Sequence, residues 1–322
     1  MRVLITGASG YLGRALVAAF RASGHSTVAF SRHAGASGLP GEVFDGDVRD
    51  ATALARAVAG CDAMCHAAAL VSVWRKRRAD FDDINVGGLR HALDAARSAG
   101  VTRILYTSSF LALPPTGASA PGRWNDYQRT KVLADELASR AVADGAPVIR
   151  VYPGVVYGPG VLTEGNLIGT MVIDHLRRRL PGLVGAERVW SYAWIEDVAR
   201  GHVAALELGR AGGRYCLGGE NAAQMRVFEL VRALTGRALP RRLPAWLAKS
   251  VGAFEELRAS VTGRPPLLTA GTVEVLTRDW SMDSSVAVRE LGYSITPLEV
   301  GIARVVAQAK EIGMTQEGGR GA

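Results

Sequence analysis

The chain has 322 residues, of which 48% are apolar, and its 38 lysines and arginines exceed its 30 aspartates and glutamates to give a formal net charge of +8. That size and apolar content exclude a disordered segment or a disulfide miniprotein and allow one large domain, or a domain with a lobe. No apolar run reaches the ~18 residues needed to span a bilayer, and nothing resembles a nucleic-acid-binding module, so the clusters Arg75-Lys76-Arg77-Arg78 and Arg177-Arg178-Arg179 are read as solvated faces.

Residues 2–6 form a short apolar run of strand character, followed by Gly7-Ala8-Ser9-Gly10-Tyr11-Leu12-Gly13 and an amphipathic helix over about 12–23. A strand, a glycine turn and a helix in that order form a dinucleotide-binding pattern. The glycines let the backbone approach a pyrophosphate, and the helix N-terminus offers unpaired N–H groups to the phosphates. Strands follow near 26–31, 42–45, 62–67, 102–108 and 147–152, with helices near 51–58, 80–99 and 126–144. This alternation predicts an α/β fold, a Rossmann-type doubly wound parallel sheet with helices on both faces and ligands beyond the carboxyl ends of the strands. The second strand ends in Ser31-Arg32, where an acidic residue would favour the 2′-hydroxyl of NAD. A serine and a guanidinium suit a 2′-phosphate, which favours NADP(H) and leaves NAD(H) open.

Downstream of Ser108-Ser109 stands Tyr127-x-x-x-Lys131 in the helix over 126–144. Spacing i to i+4 puts both side chains on one helix face. The ammonium would then favour the phenolate and bring Tyr127 into the range of a general acid/base. Beyond residue 160 the alternation loosens: 160–188 mixes helix and loop, 215–218 reads as a strand, and 224–235 and 297–312 read as helices. The expected organisation is residues 1–160 with about 190–212 as the dinucleotide-binding domain, 161–189 and 213–315 as a smaller substrate-binding lobe, and a frayed tail over 316–322. Within the lobe, Trp246, Leu247, Val251, Phe254, Leu257 and Val261 recur at near-helical spacing over 244–262. Such a helix packs into a core or an oligomer contact, or lines a lipophilic entrance and makes peripheral contact with a membrane. Cys61, Cys65 and Cys216 form no disulfide framework and His66 and His202 no metal pattern, which with no signal peptide ahead of the first strand leads to the expectation of a cytoplasmic protein.

Together these features resemble the extended short-chain dehydrogenase/reductase superfamily, also described as NAD-dependent epimerases and dehydratases, along almost the whole chain. The wording is most similar to the dihydroflavonol reductase and 3β-hydroxysteroid dehydrogenase-like branch, farnesol dehydrogenase-like and hopanoid-associated proteins in particular. The phrases that carry this are His-Ala-Ala-Ala-Leu (66–70), Tyr-Thr-Ser-Ser-Phe (106–110), Gly-His-Val-Ala-Ala-Leu-Glu (201–207), Gly-Gly-Glu-Asn (218–221) and Glu-Leu-Gly-Tyr (290–293).

The resemblance implies a catalytic set of Ser109, Tyr127, Lys131 and Asn85, with Ser109 rather than Ser108 in the serine's place. It implies cofactor contacts from Gly7, Ser9, Gly10, Tyr11, Leu12, Gly13, Ser31 and Arg32, from Asp47 and Val48 at the adenine, and from Ala67, Ala68, Ala69, Thr107 and Lys131. Tyr152, Pro153, Gly154 and Val156 would hold the nicotinamide carboxamide. Candidate substrate walls are Trp74, Phe110, Trp124, Tyr157, Leu167 and Trp194, besides Ser109 and Tyr127 themselves. The stretch between Ser109 and Tyr127 is shorter than relatives usually have, and Trp194 stands where they usually place a histidine. The implied activity is NAD(P)-dependent ketone or aldehyde reduction, or alcohol oxidation, on a lipophilic or aromatic small molecule such as an isoprenoid, a steroid or a secondary metabolite, by a monomer or homodimer. A nucleotide-sugar epimerase or dehydratase and a non-catalytic dinucleotide sensor are the alternatives on the same fold.

Overall fold

The computed structural model describes residues 1–317, with side chains through Ile312. Val3, Leu4 and Ile5 of β1 (Arg2–Thr6) are wholly buried without alternation, the mark of a strand covered on both faces. The glycine turn leads into α1 (Tyr11–Ala22), which buries Leu16, Val17 and Phe20 at helical spacing. The alternation continues through β2 (Ser26–Ser31), β3 (Glu42–Asp45), α2 (Ala51–Val58) and β4 (Ala63–His66). Asp50 starts α2 by accepting from Thr52 N (2.9 Å) and Ala53 N (3.0 Å), which satisfies two otherwise unpaired amides. The long helix expected over 80–99 is α3 (Ala79–Asp82), a π turn (Asp83–Gly87) and α4 (Gly88–Ser98), one continuous rod with a widened turn at its middle. β5 (Arg103–Thr107), α5 (Asp126–Ala143), β6 (Val148–Pro153) and the short β7 (Val155–Tyr157) follow.

The second half holds α6 (Leu167–Leu176), β8 (Leu183–Val184), β9 (Val189–Trp194), α7 (Ile195–Leu208), β10 (Arg214–Leu217) and β11 (Glu220–Ala223). It ends with α8 (Gln224–Thr235), β12 (Arg242–Leu243), α9 (Ala245–Thr262), α10 (Ala270–Leu276), α11 (Ser285–Leu291) and α12 (Leu298–Glu317). The main sheet is seven-stranded and parallel, in the order β10-β6-β5-β4-β1-β2-β3. The expected Rossmann-type architecture is thus present; through β6 the predicted strands and helices agree with the observed ones to within a residue or two, while the helix expected over 297–312 runs on to Glu317 as α12. One placement differs: β10 lies on the edge of the main sheet beside β6, where the sequence reading put residues from 213 onward in the lobe. Its cause is the short Gly212-Gly213 link after α7, whose backbone bonds to Val148 O and Arg210 O turn the chain straight back along β6.

A second sheet, β11-β9-β7, and a two-stranded β12-β8 pair stand beside the first. They enclose an aromatic core of Tyr157, Trp190, Tyr192, Trp194, Phe228 and Trp280. The two parts are tied together at several points. The carboxylate of Asp197, 2% exposed, accepts from Thr296 N (2.6 Å) and Thr296 Oγ1 (3.0 Å). Tyr293 donates its hydroxyl to Gly218 O (2.8 Å), and Gln308 exchanges bonds with Gly160 N and O (3.1 and 3.0 Å). The expected frayed tail falls on the end of α12 at Gln316 and Glu317 and otherwise on 318–322, which lie outside the described residues. Among the described residues no helix is long and apolar enough to cross a membrane.

Candidate active site

The glycine turn is built for close approach. Gly7 adopts φ +71°, and a Cβ there would lie 2.8 Å from Ala68 Cα; one on Gly13 would lie 2.0 Å from Gly7 O. Helix α1 therefore sits against the end of β1 at a distance that only glycine permits. Gly10 is exposed and begins the helix with no side chain capping it, so the first-turn amides of Tyr11, Leu12 and Gly13 face outward beside Ser9 as donors. This cradle fits a diphosphate. At the end of β2, Ser31 Oγ is buried and has no hydrogen-bond partner among the described residues, while Arg32 is exposed beside it. Arg14, which the sequence reading passed over, joins the same corner by donating to Ser9 O (3.2 Å) and Ser37 O (3.0 Å).

Asp47 is engaged by its own neighbour. Arg49 donates Nε and Nη2 to its two oxygens (3.0 and 2.7 Å), and this pairing holds the carboxyl below the usual range despite partial burial. Val48 is buried against Gly88, where a Cβ would come within 2.7 Å of Val48 Cγ2. Ala67, Ala68 and Ala69 continue β4 as a half-buried strip, held where Ala68 N donates to Thr6 Oγ1 (3.2 Å). Asn85, on the π turn and 3% exposed, closes the strip. Its Oδ1 accepts from Leu70 N (2.7 Å), and its Nδ2 donates to Leu70 O (3.3 Å) and to Thr130 Oγ1 on α5 (2.9 Å). The amide thus joins the exit of β4, the π turn and α5, and the widened turn is what brings it there.

Ser109 stands two residues beyond β5, caps a short 3₁₀ turn over Phe110–Ala112, and accepts from Leu111 N (3.2 Å). Its hydroxyl lies near enough to the half-buried Tyr127 phenol to favour the ionised form of that group. Ser108 points elsewhere, donating to Asp135 Oδ1 (3.0 Å). Lys131, 3% exposed, donates Nζ to Thr107 O (2.9 Å) and lies 5.3 Å over the Tyr106 ring. Ser109 and Tyr127 thus come near one another, while Lys131 turns to the Thr107 carbonyl. Their electrostatics differ from the expectation: burial pushes the Tyr127 phenol up to about 12, against the opposing hydrogen bond of Ser109. Burial also pulls Lys131 down to about 8, against the carboxylate of Asp135. The reason is that the ammonium is committed to the Thr107 carbonyl, and desolvation is the largest influence on both groups.

Asp135, one helical turn beyond Lys131, was not singled out from the sequence, although its i+4 spacing from the lysine was a usable signal. It accepts from Ser108 Oγ and from Tyr152 OH (3.2 Å), and Arg214 Nε donates to Tyr152 OH in turn (3.0 Å). With its side chain committed there, Tyr152 offers a ligand only backbone, as do Pro153 and Gly154; a Cβ on Gly154 would lie 2.6 Å from Ser191 O. Val156 is half-buried on β7.

The proposed walls divide. Trp74 lines a cleft of about 450 Å³ together with Arg75, Lys76, Arg78 and residues 259–263. Phe110 is half-buried, edge-on to Trp280 with ring centroids 5.3 Å apart, and Trp124 is edge-on to the same Trp280 at 6.3 Å. Tyr157 and Trp194 are corrections: they are 0% and 2% exposed, packed edge-on to each other at 5.5 Å inside the aromatic core, and present no wall. Leu167 opens α6 at the surface, 40% exposed. His66 and His202 are buried, bonded to Thr6 Oγ1 (3.0 Å) and Thr107 Oγ1 (3.1 Å), and burial lowers them to about 3 and about 4, so both are neutral at ordinary pH. Among the described residues no group of side chains could hold a metal ion.

A profile of the NAD dependent epimerase/dehydratase family matches residues 3–218. The chain is 31% identical to sterol demethylase protein B of Methylococcus capsulatus, over 98% of this chain and all of the relative. It is 29% identical to a putative dihydroflavonol 4-reductase of Synechocystis, over 94% and 92% of the two chains. Among solved structures, that of gox2253 superposes with a TM-score of 0.81 at 28% identity, covering 97% of this chain and 98% of the other.

Proposed function

The chain belongs to the NAD-dependent epimerase/dehydratase family, and on that premise we propose that it is an NAD(P)-dependent oxidoreductase. It interconverts a ketone or aldehyde and an alcohol on a lipophilic or aromatic small molecule. The observation that carries the reading is the Ser109 hydroxyl acting on the Tyr127 phenol, with Lys131 bonded to Thr107 O at the end of β5, in the same parallel sheet whose strand β1 leads into the glycine cradle. A nicotinamide ring bound there supplies or accepts hydride.

The chain's own residues do the rest. Ser109 hydrogen-bonds the substrate oxygen and sets its orientation. Tyr127 donates its proton to that oxygen as the alcohol forms and removes it in the reverse direction. A phenol pushed up to about 12 is a protonated donor at neutral pH, which suits reduction. Lys131 holds ribose hydroxyls and the backbone of Thr107, and Asn85 keeps the exit of β4 registered against α5. Residues 1–160 with 190–217 hold the dinucleotide, and the remaining segments cover the substrate. The half-buried aromatics Trp74, Phe110 and Trp124 and the sterol- and flavonol-named relatives support an apolar, ring-containing substrate.

A panel of ketones, aldehydes and alcohols, including sterols and prenyl alcohols, followed by nicotinamide absorbance tests the activity. Tyr127→Phe is expected to lower kcat by several orders of magnitude while dinucleotide binding persists; a variant that keeps most of its turnover removes the assignment.

A further inference from the structure

Helix α9 is packed inside out. Its buried positions are the small residues Ala248, Gly252 and Ala259. A Cβ on Gly252 would meet Ala270 N at 2.7 Å, so the helix lies hard against the start of α10. Its large side chains point the other way: Trp246 is 70% exposed, Phe254 66%, Leu257 65% and Val261 81%, with Leu247 and Val251 also exposed. At 3.6 residues per turn these six fall within about 140° of the circumference, and from Trp246 to Val261 the stripe runs about 22 Å. The one charged side chain among them, Arg258, is neutralised by Glu255 (2.7 and 3.0 Å). A surface helix ordinarily turns such a stripe toward its own core.

The margin of the stripe is cationic. At the C-terminal end of α9 the loop of Arg75, Lys76 and Arg78 faces residues 259–263 across the 450 Å³ cleft. Lys76 and Arg264 are exposed and make no ion pair among the described residues. An apolar face bordered by free cations matches the boundary of an anionic bilayer, where acyl chains receive the one and headgroup phosphates the other. A twofold contact through α9 would instead bring the same cations of two copies, each of net charge +8, to one rim. We propose that α9 and the 75–78 loop dock this protein on anionic lipid surfaces, with the helix lying in the interfacial plane.

The proposal does not rest on the redox reading, and its test needs no turnover. The purified full chain is sedimented with vesicles of phosphatidylcholine alone and of phosphatidylcholine mixed with phosphatidylglycerol. Binding to the mixed vesicles, weakened by salt and much weaker on phosphatidylcholine alone, is expected. Phe254→Asp with Leu257→Asp should abolish it, and because both side chains are exposed, the circular dichroism and melting temperature should hold. Lys76→Glu and Arg264→Glu should each weaken it by at least about fivefold. Equal sedimentation by these variants, no binding to either vesicle, or a lipid-free dimer in analytical ultracentrifugation that Leu257→Asp dissociates would overturn it.

Discussion

Tyr127 and Lys131 show how little a residue's chemistry is decided by its nearest cation. Burial moves both groups toward their neutral forms, the phenol to about 12 and the ammonium to about 8. Lys131 faces Asp135 on its own helix, Tyr106 on β5 and the neutral His66 on β4, so Asp135 is the group that keeps it charged. Turnover is therefore expected to fall on the alkaline side as Lys131 loses its proton near pH 8. Asp135→Asn should move that limb to lower pH, because the carboxylate raises the lysine; a profile of kcat/KM against pH reads the shift, and an unmoved limb would remove Asp135 from the site. The stability sign is the opposite one. With its folded value depressed below its unfolded value near 10.5, Lys131 weakens the fold below pH 8, and that penalty is relieved as pH rises from 8 toward 10.5.

At the scale of elements, the glycine turn and the strand-helix alternation were legible because each follows from local chemistry: a run apolar on both faces, a turn only glycine fits, an acceptor at a helix start. The positions of the three candidate side chains, two on α5 and one just beyond β5, were legible for the same reason, since i to i+4 spacing and strand register are local. What faces what was not. Tyr157 and Trp194 have the composition of a pocket wall, and only the second sheet, assembled from β7, β9 and β11, puts them into a core. In α9 the apolar spacing was visible, but its outward direction depends on Gly252 meeting Ala270. The π turn at Asn85 is likewise invisible to periodicity. Its amide makes three bonds to two other segments, so Asn85→Ala leaves part-buried backbone groups of Leu70 without their side-chain partner. The expected cost is about 1–3 kcal/mol, seen as a melting temperature lower by several degrees and weaker dinucleotide binding. An unchanged melting temperature would show that the three segments hold without it.

For the molecule as a whole, dinucleotide binding and folding are linked. A ligand at a hundred times its Kd adds about 2.7 kcal/mol to stability. With Ser31 Oγ unpartnered and Arg14 and Arg32 at one corner, NADPH is expected to raise the melting temperature more than equal NADH; the reverse order would assign that corner to a 2′-hydroxyl. The bonds from Asp197 to Thr296, Tyr293 to Gly218 and Gln308 to Gly160 bear on movement too. They tie α12 and the segment before it to α7, to the turn after β10 and to the turn after β7, points far apart in the chain. A cover fastened in this way is expected to resist swinging on a hinge, so that reactants come and go by the breathing of short loops; hydrogen exchange at Thr296 and Gly218 as slow as in the central strands checks it.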